Sequence, residues 1–393
     1  MKVDFSLSCK RENTNAEKYV LRNRLFGTEN LIPMWVADMD IDTPSFILEA
    51  VQRRLQHPNF GYEEMPSSAF LAQIEWLKRH HGVTFLQEEL LYSHSVVASI
   101  NAAIEAFSNE GDKIIVQTPV YPPFFKSVMH HNRKVLFNPL KKSENGDYTF
   151  DIDDLVSKID KDTKLLLLCS PHNPVGRVWK KEELQALGDV CLAHNIVVFS
   201  DEIHSDLVYA PNKHIPFASL SDEIRNITVS AYGVGKTFNL AGFAISTVAI
   251  TNEILREKYK KVYNDIHFAQ GTILGHVAFE TAYMYGDGWL EALKIHLQKN
   301  IVLLEDVCKK HHDKIFFIAP EGTYLAWLDC SKMNLSDKEL KEFFVKNAKI
   351  GLSNGVSFSK EGSAYMRLNF AVSSEIMEQA MQQLNLALER FQR

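Results

Sequence analysis

The 393-residue chain contains only five cysteines, Cys9, Cys169, Cys191, Cys308 and Cys330. Their number is odd and no C-x-x-C spacing occurs, which fits neither a disulfide framework nor a thiolate zinc site and suits a reducing cytoplasm. No apolar run approaches membrane-spanning length, and MKVDFSLSCKRENTN lacks the continuous apolar stretch of a secretory leader, so a cytoplasmic protein is expected. Positive charge is not in excess either. Forty-three Lys and Arg stand against 49 Asp and Glu, a net charge of −6, so there is no bulk field to draw in nucleic acid. No H-E-x-x-H occurs, and the pairs His80-His81, His130-His131 and His311-His312 are adjacent in sequence. They are expected to be solvated surface residues rather than metal ligands. Internal repeats and low-complexity segments are also missing.

What is present is an ordinary globular composition, 46% hydrophobic and 23% charged, at a length that predicts more than one domain. From about residue 90, strand-length apolar runs alternate with helix-period segments, the pattern of an α/β chain whose strands are joined by crossover helices in a mostly parallel sheet. The strand candidates are 114–116, 165–168, 196–199, 227–229 and 245–250, each short and rich in Val, Ile or Leu. Ser95 is placed to cap a helix through Val97, Ile100, Ile104 and Phe107. Past residue 285 the texture changes to a long helix, Trp289 to His311, a strand at Thr323 to Leu328, and an amphipathic helix carrying Ile376, Ala380, Leu384 and Leu388. The expected organisation is an arm plus part of a small domain over 1–45, a large α/β domain over 46–285, and a smaller α+β domain over 286–393.

Ligands of open parallel sheets bind beyond the carboxyl ends of the strands. The strand candidates are followed there by Tyr121, Asn173, Asp201 and Lys236. An aromatic plate, an amide, a carboxylate and an amine should therefore meet at one edge. In SAYGVGKTFNLAG, Gly233 and Gly235 are expected to let the backbone turn tightly beside Lys236. GVGKT resembles the end of a P-loop, but that motif needs a glycine where Ser230 stands. The other chemical reading is a Schiff-base lysine that condenses with an aldehyde cofactor and later moves a proton. A solvated loop lysine is the bland alternative. Asp201, straight after an apolar strand, needs a cationic or hydrogen-bonding partner to stay ionised, and a protonated pyridine nitrogen is such a partner; a helix cap is the structural alternative. Asn173, in the proline-punctuated SPHNPVGRVW, offers an amide donor or a plain Asx turn. Tyr121 offers a stacking face or core packing. The N–H groups of Val96 and Val97 at a helix start suit a phosphate, as those of any helix start do.

Together, SPHNPVGRVW, SDEIH, GKTFNLAG and YMRLNF resemble, in order and spacing, the fold-type-I pyridoxal-phosphate enzymes of the class I/II aminotransferase superfamily. Within it, PMWVADMD (33–40), FGYEEMP (60–66), DEIH (201–204) and GTYLAWLD (322–329) resemble the cystathionine β-lyase-type carbon–sulfur lyases. The resemblance implies a large domain with a mostly parallel sheet flanked by helices, a smaller α+β domain, and pyridoxal 5'-phosphate as cofactor. It implies that Lys236 is the Schiff-base lysine, that Asp201 holds the ring nitrogen protonated, that Asn173 contacts the ring oxygen and that Tyr121 stacks on the ring. The resemblance also implies that His204 would stand beside the cofactor, at a position where ordinary aminotransferases more often have Tyr. Arg367 would clamp the substrate α-carboxylate, with Ala37 and Asn173 alongside. Tyr62 would reach the phosphate of a neighbouring subunit, which implies a homodimer. The hydroxyl and arginine positions that many relatives use for the phosphate are Gly233, Gly235 and Ala244 here. The phosphate is then expected to rest on Val96, Val97, Ser230 or Tyr232 and the neighbour's Tyr62. The implied reaction is β-elimination from a sulfur-bearing L-amino acid, with transamination as the alternative; a ligand-sensing regulatory protein is the reading of a different class.

Overall fold

The computed structural model describes residues 4–7, 9–11, 13–266 and 271–392. Its strands run, in chain order, Ile32–Pro33 (β1), Leu90–Ser93 (β2), Lys113–Val116 (β3), Lys134–Phe137 (β4), the hairpin Lys141–Lys142 (β5) and Tyr148–Thr149 (β6), Thr163–Cys169 (β7), Val197–Asp201 (β8), Thr228–Tyr232 (β9) and Ser246–Ala249 (β10). Seven of them form one sheet in the order β2-β10-β9-β8-β7-β3-β4. The pairs β3–β4, β3–β7, β7–β8 and β8–β9 are parallel, while β10 runs antiparallel to both β9 and β2. The central strands are covered on both faces, which is why Leu165 to Leu168 form an unbroken apolar run. Alternate residues serve opposite faces: Leu165 and Leu167 pack with the helix Val96–Phe107, whereas Leu166 and Leu168 pack with the helix Lys181–Ala193.

All five strands read from the sequence in this region form, each shifted by a residue or more at its ends. β2 and β4 were not read, because LLYS and KVLF are four-residue edge strands with too little pattern to stand out. The helix predicted from Ser95 spans Val96–Phe107, and the Ser95 side chain accepts from Ala98 N at 3.1 Å, satisfying one of the first-turn donors.

The remaining strands are Phe316–Phe317 (β11), Leu325–Asp329 (β12), Ile350–Gly351 (β13), Ser353–Asn354 (β14) and Tyr365–Asn369 (β15). β11, β12, β15 and β14 make an antiparallel sheet in that order, backed by the helices Asp287–Lys310 and Ser374–Arg390. β1 pairs in parallel with β13 in a separate two-stranded sheet, which ties the N-terminal segment to the chain just before β14. Thereafter the chain crosses to the large sheet, and its 34–41 stretch lies between the two. Lys18 pins it there. Fully buried, Lys18 Nζ pairs with Asp40 Oδ2 at 2.9 Å and with Asp38 Oδ1 at 3.2 Å, which supplies the charge partner a buried ammonium requires.

Candidate active site

A cavity of about 710 Å³ opens at the carboxyl ends of β7, β8 and β9, within the range of pockets that enclose small ligands. Tyr121, Asn173, Asp201, His204 and Lys236 all line it, as do Ala37, Val96, Val97 and Arg367 from more distant segments. The convergence expected from strand order is therefore present. Parallel neighbours bring their carboxyl ends to one edge, and the loops beyond them converge without any residue having to reach far.

Lys236 lies on the short helix Val234–Thr237 just after β9. Its Nζ donates to Ala37 O at 2.6 Å, and Tyr324 Oη donates to the same carbonyl at 2.8 Å. Burial, reinforced by the positive charge of Arg367, pushes the lysine pKa down to about 8. Asp201 closes β8. Burial pushes its carboxyl up to about 7, against the pull of the Ile203 N–H at 3.1 Å and of the Lys236 charge. It is a carboxylate short of a cation. Neither glycine near the lysine adopts a left-handed conformation: Gly233 is extended, at φ 176°, and Gly235 is helical. What Gly233 provides is close approach, because a Cβ there would lie 2.9 Å from Ile203 Cδ1 and 3.1 Å from Ser246 Cβ.

Arg367, on β15, enters from the smaller sheet. It is buried, and its Nη1 donates to Asn173 Oδ1 at 3.0 Å while Nη2 donates to Trp35 O at 2.8 Å. Its Nε finds no partner among the described residues. Desolvation lowers its pKa to about 10, which still leaves it charged. Because Asn173 Oδ1 is taken by Arg367, the Asn173 amide N–H₂ is the group left to donate into the cavity. His204 is buried, with its ring 5.7 Å from that of Tyr324. Burial and the charges of Lys236 and Arg367 hold its pKa well below the usual histidine range, so it is a neutral imidazole.

The segment Trp35–Asp38 and the Met39 that follows it are gripped from two sides, by β15 and by the loop after the helix Val234–Thr237. Asn369 Nδ2 donates to Val36 O and Asp38 O, and Asn239 exchanges hydrogen bonds with the Met39 backbone. Neither asparagine was singled out from sequence, although each stands two or three residues from a site residue in GKTFNLAG and YMRLNF. Trp35, Tyr324 and His94, also missed, line or support the cavity from positions whose proximity depends on the tertiary fold.

Two expectations fail at the phosphate end. Ser230 and Tyr232 do not line the cavity. Both are buried on β9, and Tyr232 packs with Ile74, Leu77 and Phe85 under the helix Ser67–His81. The cause is strand alternation: closeness to Lys236 in sequence does not fix the face, and period two turns these two side chains away from the cavity. His94, Ser95, Val96 and Val97 do line the cavity, at the start of Val96–Phe107, and Gly235 and Ser246 line it too. The histidine pairs also need correction. The His81 side chain is buried and its Nε2 lies 2.8 Å from Asp206 Oδ1, and His311 is buried against Asn385. Both are structural. Among the described residues no group of His, Cys, Asp and Glu could hold a metal ion, and no helix is long and apolar enough to cross a membrane.

A buried carboxylate wanting a cation, a low-pKa amine, a tyrosine face, an amide donor and a helix N-terminus around one cavity together fit an aldehyde-bearing, phosphorylated pyridine. Comparison with known proteins agrees. The chain is 36% identical over 387 residues to the cystathionine β-lyase PatB of Bacillus subtilis, covering 98% of this chain and all of that one. It superposes on cystalysin from Treponema denticola, a structure containing pyridoxal 5'-phosphate, with a TM-score of 0.96, 31% identity and 99% of each chain covered. On the pyridoxal-phosphate-bound carbon–sulfur lyase of Staphylococcus hominis the TM-score is 0.91 at 34% identity, covering 99% of this chain and 98% of that one. The aminotransferase class I and II family model matches residues 29–384, and the chain belongs to that family.

Proposed function

We infer that the chain is a pyridoxal-phosphate-dependent carbon–sulfur β-lyase that cleaves L-cystathionine or a related L-cysteine S-conjugate to a thiol, pyruvate and ammonia. One observation carries the site assignment: Lys236 Nζ donates to Ala37 O while Arg367 Nη2 donates to Trp35 O, so the amine and the guanidinium are held two residues apart on one strip of backbone. An L-amino acid whose carboxylate meets Arg367 thereby presents its Cα to Lys236. The relatives named as lyases favour elimination over transamination, for which the same residues would serve.

When bound, pyridoxal phosphate supplies an electron sink for the charge that develops at the substrate Cα. Arg367 binds the α-carboxylate through its planar fork. With a pKa near 8, Lys236 retains a neutral fraction at physiological pH and takes the Cα proton. Asp201 would accept from the protonated ring nitrogen and hold that proton in place. Asn173 would donate to the ring oxygen, Tyr121 would cover the ring face, and the N–H groups of Val96 and Val97 would receive the phosphate. The electron pair of the broken Cα–H bond becomes the Cα=Cβ bond as Cβ–S breaks and sulfur departs as thiolate. Water then converts the released three-carbon enamine to pyruvate and ammonia.

The site is completed in a homodimer. Tyr62 is 95% exposed on its own protomer, as befits a side chain reaching the phosphate bound by a second copy. The five cysteines are unpaired, in keeping with a cytoplasmic enzyme. The test is stoichiometric. The protein loaded with pyridoxal phosphate should release equal amounts of thiol and pyruvate from L-cystathionine with no keto acid added, and Lys236→Ala should abolish this. Turnover that requires a keto acid would make the chain an aminotransferase.

A further inference from the structure

The cavity extends past the reacting centre. Beyond Arg367 its wall is apolar: the Trp35 ring lies 6.5 Å from that of Phe26, with Leu25, Leu352 and Phe358 around them. At the far end of this collar stands Lys341. Its Nζ lies 5.8 Å from the centre of the Phe26 ring and donates to Leu25 O at 2.8 Å. Lys341 is half-buried and forms no ion pair with any carboxylate among the described residues. Glu17 lines the same cavity, close enough to Tyr121 for its charge to act on the phenol, and likewise has no cationic partner among them. One cavity therefore holds a proposed α-carboxylate clamp, an aromatic pair, a cation beside that pair, and an anion on the same wall as Tyr121.

We propose that Lys341 and Glu17 form a distal subsite for the leaving group, so that this enzyme selects cysteine thioethers whose sulfur substituent ends in a carboxylate, best of all in an amino acid. The proposal rests on the lyase reading above and adds which substrates that lyase prefers. The collar takes the methylenes and sulfur, Lys341 the distal carboxylate, and Glu17 a distal ammonium. Lys341 carries most of the preference, because a half-buried cation beside the Phe26 ring is less screened than the exposed Glu17 or the exposed Lys126 on the cavity wall. A short S-alkyl group would leave both charges in water and gain nothing from them.

The experiment compares four substrates on the holoenzyme: L-cystathionine, S-(2-carboxyethyl)-L-cysteine, S-(2-aminoethyl)-L-cysteine and S-methyl-L-cysteine. Lys341→Met should lower kcat/KM for the first two by about tenfold relative to S-methyl-L-cysteine, the loss of one charge-assisted hydrogen bond. Lys341→Arg should restore most of it, and Glu17→Gln should lower cystathionine and the aminoethyl compound a few-fold relative to the methyl compound. An equal fall for all four substrates with Lys341→Met, no fall for any, or the same pattern from Lys126→Met overturns the proposal. Dissociation constants, read from the cofactor's spectral change on adding each compound, should follow the same ratios. Wild-type protein that binds cystathionine but releases no thiol would end the lyase reading and leave the subsite still measurable.

Discussion

Arg367 Nη1 donates to Asn173 Oδ1 at 3.0 Å, joining the loop after β7 to β15 across the two sheets. The two side chains proposed to clamp the carboxylate and to donate to the ring oxygen are thus one hydrogen-bonded unit. Replacing Asn173 with Ala should disturb both, raising KM for the amino acid by about tenfold through the freed guanidinium and shifting the visible band of the bound cofactor. Steady-state kinetics and an absorption spectrum read the two effects, and a changed spectrum with an unchanged KM would show that the pair is not coupled.

The position of Lys236 sets a pH dependence for loading apoprotein. Only the neutral amine can attack the cofactor aldehyde, and burial brings the lysine pKa down to about 8. Below that value the amine is protonated and unreactive. The rate of cofactor uptake should therefore rise with pH through about 8 and level off above it. A midpoint near the ordinary lysine value of 10.5 would contradict the buried placement.

Asp201 has the opposite sign. Without a cation beside it, burial holds its carboxyl at about 7, and a protonated ring nitrogen would draw that value down. Asp201→Asn keeps the shape and removes the charge. It should reduce kcat by about 10²-fold, the scale seen when one preorganised electrostatic partner is lost, while the protein still binds pyridoxal phosphate. Single-turnover measurement of Cα proton exchange isolates this step, and a normal exchange rate would remove Asp201 from the mechanism.

Behind Lys236 lies a buried carboxylate with a structural duty. Asp206 accepts from Trp76 Nε1 at 2.9 Å and from Thr237 Oγ1 at 2.7 Å, with His81 Nε2 at 2.8 Å. Against the cost of burial, bonding to His81, Trp76 and Thr237 lowers its pKa from 3.8 to about 2. A depressed acid stabilises the fold above its unfolded value and stops doing so as pH falls through the folded one. Asp206→Asn should cost about 2–3 kcal/mol at neutral pH, and the difference from wild type should shrink between pH 4 and 2. Urea unfolding at pH 7 and pH 3 checks this; an equal deficit at both would mean that the carboxylate charge is irrelevant.

The phosphate end is open to a gain of function. A Cβ at Gly235 would meet Ala241 Cα at 3.5 Å, ordinary contact, and Gly235 lines the cavity near the start of Val96–Phe107. Gly235→Ser should fit and add a hydroxyl donor, lowering the dissociation constant for pyridoxal phosphate by about tenfold. Equilibrium dialysis of the reconstituted apoprotein decides, and an unchanged or weaker affinity would place the phosphate elsewhere.

The α/β alternation, the parallel strands at 114–116, 165–168 and 196–199, and the gathering of Tyr121, Asn173, Asp201 and Lys236 at one edge were all legible in the sequence. Burial on both faces writes an apolar run, and the ends of parallel strands share an edge whatever else the chain does. The antiparallel course of β10 was not legible, since a strand's residues carry no mark of its direction. Nor was the facing of Ser230 and Tyr232, because alternation assigns a face only once one residue of the strand has been placed. The tertiary structure alone brought Ala37 to Lys236, Trp35 to Arg367 and Lys341 to the mouth of the same cavity. Those contacts join residues some two or three hundred positions apart, and they exist because β1 pairs with β13 and Lys18 and Asn369 hold the 34–41 stretch in place. Local patterning records which face of an element is buried, and long-range pairing decides what that face, or the loop after it, will meet.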